Sequence, residues 1–181
     1  MSKHVVSPVS TIGPFFPFDF ADEMSDLTKL GGKTAQGEHI VIVGRVLEQD
    51  GAPTRNSIVE IWQPDFQGIL RHPDDPRFAD VDPGFRGFGR ARTHPDGSFK
   101  LITVMPGASA GRAPHINVRI LAIGVTRPLV TTIFFSEAAD PVLNCVPAER
   151  RKLLVACEQA DGNYRFDVIL RGEGETPFFA D

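Results

Sequence analysis

Apolar and polar side chains alternate through most of the chain. His39-Ile40-Val41-Ile42-Val43-Gly44-Arg45-Val46-Leu47 is rich in β-branched residues and runs towards Asp50-Gly51, a turn pair, which predicts a strand. Ser57–Gln63, Ser98–Val104 after the Asp96-Gly97 turn, His115–Ala122 and Leu129–Phe135 read the same way. The last such stretch, Tyr164–Arg171, puts Tyr164, Phe166, Val168 and Leu170 on one face, with Arg165, Asp167 and Arg171 on the other. Only Ala148–Gln159 carries a helical stripe, through Leu153, Leu154 and Cys157, with Pro147 just ahead of it. Pro64–Gly89 is too polar and too proline-rich for a strand, and is expected to be a long loop over one end of the fold. Many strands, turn pairs between them and one short helix predict an all-β architecture, an antiparallel β-sandwich. Residues 1–38 read as an N-terminal arm, packing on its own core and on a partner chain, and residues 39–181 as the sandwich domain. The arm carries Pro8, Pro14 and Pro17 together with Ile12, Phe15, Phe16, Phe18 and Phe20, apolar groups that must be covered by something.

Composition narrows the function classes. A chain of 181 residues with 41% hydrophobic and 23% charged residues is an ordinary globular domain. Its net charge of −4, with both signs interspersed, lacks the basic stripe of a nucleic-acid binder. No apolar run approaches the ~20 residues of a membrane span, and the N-terminus shows no secretory pattern, so a cytoplasmic protein is expected. Cys145 and Cys157 lack metal or redox spacing and are expected to be reduced, partly buried thiols.

The candidate chemistry lies in Pro114-His115-Ile116-Asn117-Val118-Arg119-Ile120. Alternation puts Ile116, Val118 and Ile120 on the core face and His115, Asn117 and Arg119 on the opposite one. A His-x-His here would form half of a metal site, but the second position is asparagine, a poor ligand for a transition metal.

Glu60-Ile61-Trp62-Gln63, Gly87-Phe88-Gly89-Arg90, Asp96-Gly97-Ser98-Phe99, Pro106-Gly107, Pro114-His115-Ile116 and Tyr164–Gly172 occur in this order along the chain. In that ordered set the chain resembles the intradiol ring-cleavage dioxygenases. Thr11-Ile12-Gly13-Pro14 and the tail Gly172–Phe179 resemble the alpha chains of the family's two-chain members. The resemblance implies a β-sandwich and an enzyme that cleaves a catechol with dioxygen between its hydroxyl-bearing carbons. Its catalytic chains hold non-haem Fe(III) through two tyrosines and two histidines, phenolate being a donor that stabilises the ferric state. Carried over position by position, the tyrosines correspond to Leu70 and Ser109 and the histidines to His115 and Asn117. Arg112 matches an arginine that steadies charge on the substrate ring, and Thr132 stands where catalytic chains carry a glutamine. The chain has a single tyrosine, Tyr164, in its last predicted strand, so a two-tyrosine site is impossible. No metal is expected on this chain, and Leu70, Ser109, Arg112, His115, Asn117 and Thr132 are expected to be a vestigial site. Arg112 is expected to make a salt bridge or hydrogen bonds, and His115 to be structural.

The resemblance further implies a homologous beta chain that keeps the iron, with alpha–beta pairs in a larger oligomer. Thr11, Gly13 and Pro14 would help close the partner's substrate pocket, while the bland alternative is an arm bent onto its own sandwich. Some alpha chains carry an arginine near that pocket, and the position here is Ile123, flanked by Arg119 and Arg127. Two other readings compete: a non-catalytic sandwich serving as a binding or scaffold module, and a stand-alone metalloenzyme using His115 with His72, His94 or Glu60.

Overall fold

The computed structural model describes residues 11–13, 24–54 and 56–179. Two sheets face each other across one core. In the first, β3 (His39–Leu47) is central and pairs antiparallel with β6 (Ser98–Val104), from His39 opposite Val104 to Arg45 opposite Ser98. Its other edge is covered by β10 (Tyr164–Arg165) and β11 (Val168–Ile169), and β9 (Cys157–Glu158) pairs antiparallel with β10. The second sheet is antiparallel, in the order β5 (Phe88–Arg92), β4 (Ile58–Trp62), β7 (His115–Leu121), β8 (Leu129–Phe134). A small hairpin, β1 (Lys29–Leu30) and β2 (Lys33–Thr34), precedes both.

Burial follows the predicted alternation. Ile40, Ile42 and Val46 of β3, Phe99 and Leu101 of β6, Val59 and Ile61 of β4, and Ile116, Val118 and Ile120 of β7 meet in one cluster. At roughly 1.5–3 kcal/mol for each large apolar side chain removed from water, this cluster is the main source of stability.

Four details depart from the sequence expectation. The strand expected over Tyr164–Arg171 is interrupted at Phe166-Asp167 and lies parallel to β3. There the Asp167 carboxylate, in place of a backbone carbonyl, accepts from the Arg45 N–H at 3.0 Å. Gly44 permits the approach, since a Cβ there would lie 1.9 Å from the Phe166 carbonyl oxygen. Second, Phe88–Arg92 is a strand, so the long loop stops at Gly87; its Gly89 lies against Leu27, whose Cδ1 would be 2.3 Å from an added Cβ. Third, the predicted helix is a single turn, Ala148–Arg151, continued as a 3-10 turn at Lys152–Leu154, and a second short helix forms at Pro141–Asn144. Fourth, both cysteines are free and exposed, not partly buried.

Within the expected arm, residues 24–27 lie between the two sheets. Leu27 N–H donates to Ile102 O at 2.8 Å and Ile102 N–H to Ser25 O at 2.8 Å on the β6 side. On the β5 side, Arg90 N–H donates to Met24 O at 3.1 Å and Arg86 N–H to Leu27 O at 3.0 Å. The Leu27 side chain is fully buried in the main cluster. Phe15, Phe16, Phe18 and Phe20, singled out in the sequence, lie outside the described residues, as does Pro14.

The loop between β4 and β5 is pinned by carboxylates accepting from backbone N–H groups. Asp65 accepts from Gln67 and Ile69, each at 2.9 Å, and from Asp82 at 3.0 Å. Asp82 in turn accepts from Gln36 and Gly84, and Asp75 from Leu70 and Arg77. These bonds replace the ladder the segment lacks and fix where Leu70 stands.

Candidate functional site

The six residues expected to form a vestigial site fall into two neighbouring groups. One sits on the strands. Asn117 of β7 stands opposite Trp62 of β4 on one side and Thr132 of β8 on the other, with 3.4 Å between Thr132 Oγ1 and Asn117 Oδ1. His115, one pleat along, is opposite Phe134. Alternation turns His115 and Phe134 away from the main core, yet both are buried. The cover comes from the chain after β8: Phe134 packs with Leu143, Val146 and Leu154 in a second apolar cluster.

Two ionic groups enter this cluster. Arg112 Nε donates to Asp140 Oδ2 at 2.7 Å, and the guanidinium carbon lies 5.7 Å from the Phe134 ring centroid. Asp140 also accepts from the Ala113 N–H at 3.0 Å and caps the Pro141–Asn144 helix through Val142 and Leu143. Burial acts to raise the Asp140 pKa, but the Arg112 bond and these backbone donors outweigh it and hold the carboxyl below its ordinary value. The His115 ring contacts Ala113 O through Nδ1 at 2.7 Å. Burial, reinforced by the Arg112 charge, lowers the His115 pKa below 6.5 against the opposing effects of Ala113 and Asp140. Arg112 thus makes the salt bridge expected of it. Asp140 was not foreseen; its signal was Asp140-Pro141, the N-cap and first-turn pattern of a helix.

The other group lies on the loops. Leu70 and Ser109 line one pocket of about 460 Å³ with Trp62, His72, Asp74, Asp75, Pro76, Arg77 and Ala110. Ser109 is tied to Arg112 by a two-residue bridge, which links the two groups through the backbone. His72 and Glu60, weighed as metal ligands, are otherwise engaged: His72 Nδ1 accepts from Asp74 N–H at 3.2 Å, and Glu60 pairs with Arg90 at 3.1 Å. His94 is exposed on the opposite sheet's edge, in a shallow pocket with Arg45 and Lys100. Among the described residues no three His, Cys, Asp or Glu side chains are grouped to hold a metal ion. The donor chemistry does not fit a ferric ion either. Leu70 has no donor atom, Ser109 offers only a neutral hydroxyl, and the buried imidazole of His115 lies beside a guanidinium cation.

Thr11 and Gly13, the two described residues of the three expected to reach a partner's pocket, stand elsewhere. The Thr11 hydroxyl donates to Ala122 O at 2.9 Å and accepts from Gly124 N–H at 2.9 Å. These backbone groups flank Ile123, which is 49% exposed at the turn between β7 and β8. Gly13 is exposed, with open space where a Cβ would stand. The structure therefore brings Thr11 of the arm to the turn that bears Ile123.

The Dioxygenase family model matches residues 12–172. The alpha chain of protocatechuate 3,4-dioxygenase from Burkholderia cepacia is 38% identical over 193 residues, covering 96% of each chain. The beta chain of protocatechuate 3,4-dioxygenase from the same organism is 35% identical, over 84% of this chain and 73% of that one. Among solved structures, the dioxygenase domain of a carbohydrate-binding fusion from Streptomyces sp. SirexAA-E superposes with a TM-score of 0.57 at 26% identity, over 91% of this chain and 98% of that one. An ordered set of short motifs, a two-sheet sandwich and matches along nearly the whole length agree: the chain belongs to the intradiol ring-cleavage dioxygenase family, whose enzymes use iron.

Proposed function

We propose that this chain is the alpha subunit of a protocatechuate 3,4-dioxygenase, working in the cytoplasm beside a homologous beta chain that holds the iron. The assembly opens protocatechuate with O2 between its hydroxyl-bearing carbons, giving 3-carboxy-cis,cis-muconate. The observation that carries the reading is the pocket occupied by Leu70 and Ser109, where a catalytic chain needs two phenolate donors. Identity of 38% to an alpha chain over 96% of the sequence supports it.

Under this reading the chain contributes to the reaction by shape. Thr11 fixes the β7–β8 turn to the arm through two hydrogen bonds, so that the turn bearing Ile123 and the arm at Gly13 lie together, and this is the surface that would face the partner's substrate. Gly13 leaves room for close approach of another chain's groups. Ile123 gives this surface an apolar side chain, so the substrate carboxylate is held by groups other than a side chain at this position.

The test is steady-state kinetics of the co-assembled chains. Thr11→Val removes both hydrogen bonds at nearly constant volume and is expected to raise KM for protocatechuate severalfold while iron content and kcat stay close to wild type. Unchanged KM in a fully assembled complex contradicts the pocket role. Loss of iron in parallel with activity contradicts the placement of the iron on the partner's own residues.

A further inference from the structure

The outward face of the first sheet carries a groove of about 310 Å³, at the small end of small-molecule sites. It shares no residue with the group from Leu70 to Thr132 that corresponds to the family's iron site. Its floor is the half-buried side chain of Val43 in β3. Strand register sets a cation on three sides of that floor. Lys100 of β6 is directly opposite Val43, and Arg165 of β10 pairs with Val43 on the other side. Neighbouring strands lie about 4.8 Å apart, so these two side chains rise from backbones about 10 Å apart. Arg45, two residues along β3 and therefore on the same face, is the third.

The three cations are unequally committed. Arg165 gives Nε and one terminal nitrogen to Asp167 Oδ2, at 3.0 and 2.8 Å. The other oxygen of Asp167 accepts from the Arg45 N–H, so this carboxylate is fully engaged. Arg45 is 3.6 Å from Asp96, longer than a hydrogen bond, with both side chains about half exposed. Asp96 is itself held by the N–H and hydroxyl of Ser98. Lys100 is exposed, and its ammonium makes neither an ion pair nor a hydrogen bond among the described residues. The groove is thus locally positive on a chain whose net charge is −4, which favours an anion there.

The arrangement also selects the kind of anion. Val43 lies on a strand paired on both sides, so the floor offers no nest of free backbone N–H groups of the sort that cradles a phosphate. The positive groups are spread around an apolar floor and do not converge on one point. A ligand that matches has negative charge at both ends and methylene groups between them.

We propose that this groove binds a short aliphatic dicarboxylate. One carboxylate meets the Lys100 ammonium, the other meets Arg45 with Arg165 beside it, and the methylenes lie on Val43. No bond is made or broken. The inference goes beyond the subunit reading and concerns the opposite sheet, so either can fail alone.

The experiment titrates the full-length, nitrogen-15-labelled chain with glutarate at low ionic strength and follows amide resonances. Saturable shifts are expected at Val43, Gly44 and Lys100, with β7 and β8 unmoved. Pentanoate, which has the same number of carbons and one carboxylate fewer, should bind at least about fivefold more weakly, as should inorganic phosphate. Lys100→Gln and Arg45→Gln should each weaken glutarate about threefold to tenfold. Both side chains are exposed, and Lys100→Gln breaks no contact, so an unchanged thermal melt is expected and this variant decides if Arg45→Gln is unstable. Absence of saturation, shifts centred on the second sheet, an affinity untouched by Lys100→Gln, or pentanoate or phosphate binding as tightly as glutarate would overturn the proposal.

Discussion

The strand half and the loop half of the same region have met opposite fates. Around His115 the outward face of the sheet is roofed by the segment from Asp140 to Leu154, and Arg112 and Asp140 are locked together beneath it. Around Leu70 and Ser109 the walls stay apart and enclose a pocket. The first half is core, in which charge pairing and packing share the stabilisation; the second is an open pocket among loops. A polar position therefore says little by itself: Arg112 is held in a structural network through Nε, whereas Ser109 stands in the wall of an open pocket.

The comparison predicts unequal costs. The largest belongs to Asp140→Ala, which strands the Arg112 cation, leaves the Ala113 N–H unpaired and uncaps a helix in one step. Removing one partner of a buried ion pair costs about 3–5 kcal/mol, readable from the urea midpoint at unchanged m-value. A loss below about 1 kcal/mol would mean that the roof is not tied down by this pair.

Acidification is the next lever. His115 and Asp140 both have folded pKa values below their ordinary ones, so the unfolded chain binds protons more readily at each. Their stabilisation is complete above about pH 6.5; the His115 part fades below that pH and the Asp140 part only below about pH 3.9. Urea midpoints measured between pH 7 and pH 5 should fall less steeply in His115→Gln than in wild type. Equal slopes would place His115 outside the buried half.

Thr11→Val should cost about 1 kcal/mol locally, since two hydrogen bonds hold the turn to the arm. Amide hydrogen exchange at Gly124 should speed up by about fivefold to tenfold, with the β3 and β6 amides unaffected. The smallest effect is expected in the open half. Ser109→Ala deletes a hydroxyl that makes no hydrogen bond among the described residues and should move the urea midpoint by no more than about 0.5 kcal/mol equivalent. A loss as large as that of Asp140→Ala would mean that both halves are core.

Much of this architecture was legible in the chain. The alternation in His39–Leu47 and Ser98–Val104 located β3 and β6 to the residue, because nothing but the pleat acts on them. Phe88–Arg92 was missed since glycine and two arginines hide the period, and Gly89 is there to admit Leu27, a contact from sixty residues upstream. The parallel run of Tyr164–Ile169 beside β3 depends on pairing that local pattern does not encode. The same limit governs the site. Leu70 and Ser109 entered the expected vestigial site only through the family resemblance, carried over position by position, whereas the burial of His115 depends on a roof that arrives later in the chain. That Thr11 grips the turn bearing Ile123 needed the tertiary structure, because only the fold brings the arm to that hairpin.

The most direct measurement counts iron and records the visible spectrum of this chain, purified alone after ferric loading and co-purified with the beta-type chain proposed as its partner. The account predicts a colourless chain alone, and a coloured complex with one iron for each pair of chains. Stoichiometric iron and catechol cleavage by the isolated chain, or two irons per pair, would contradict it.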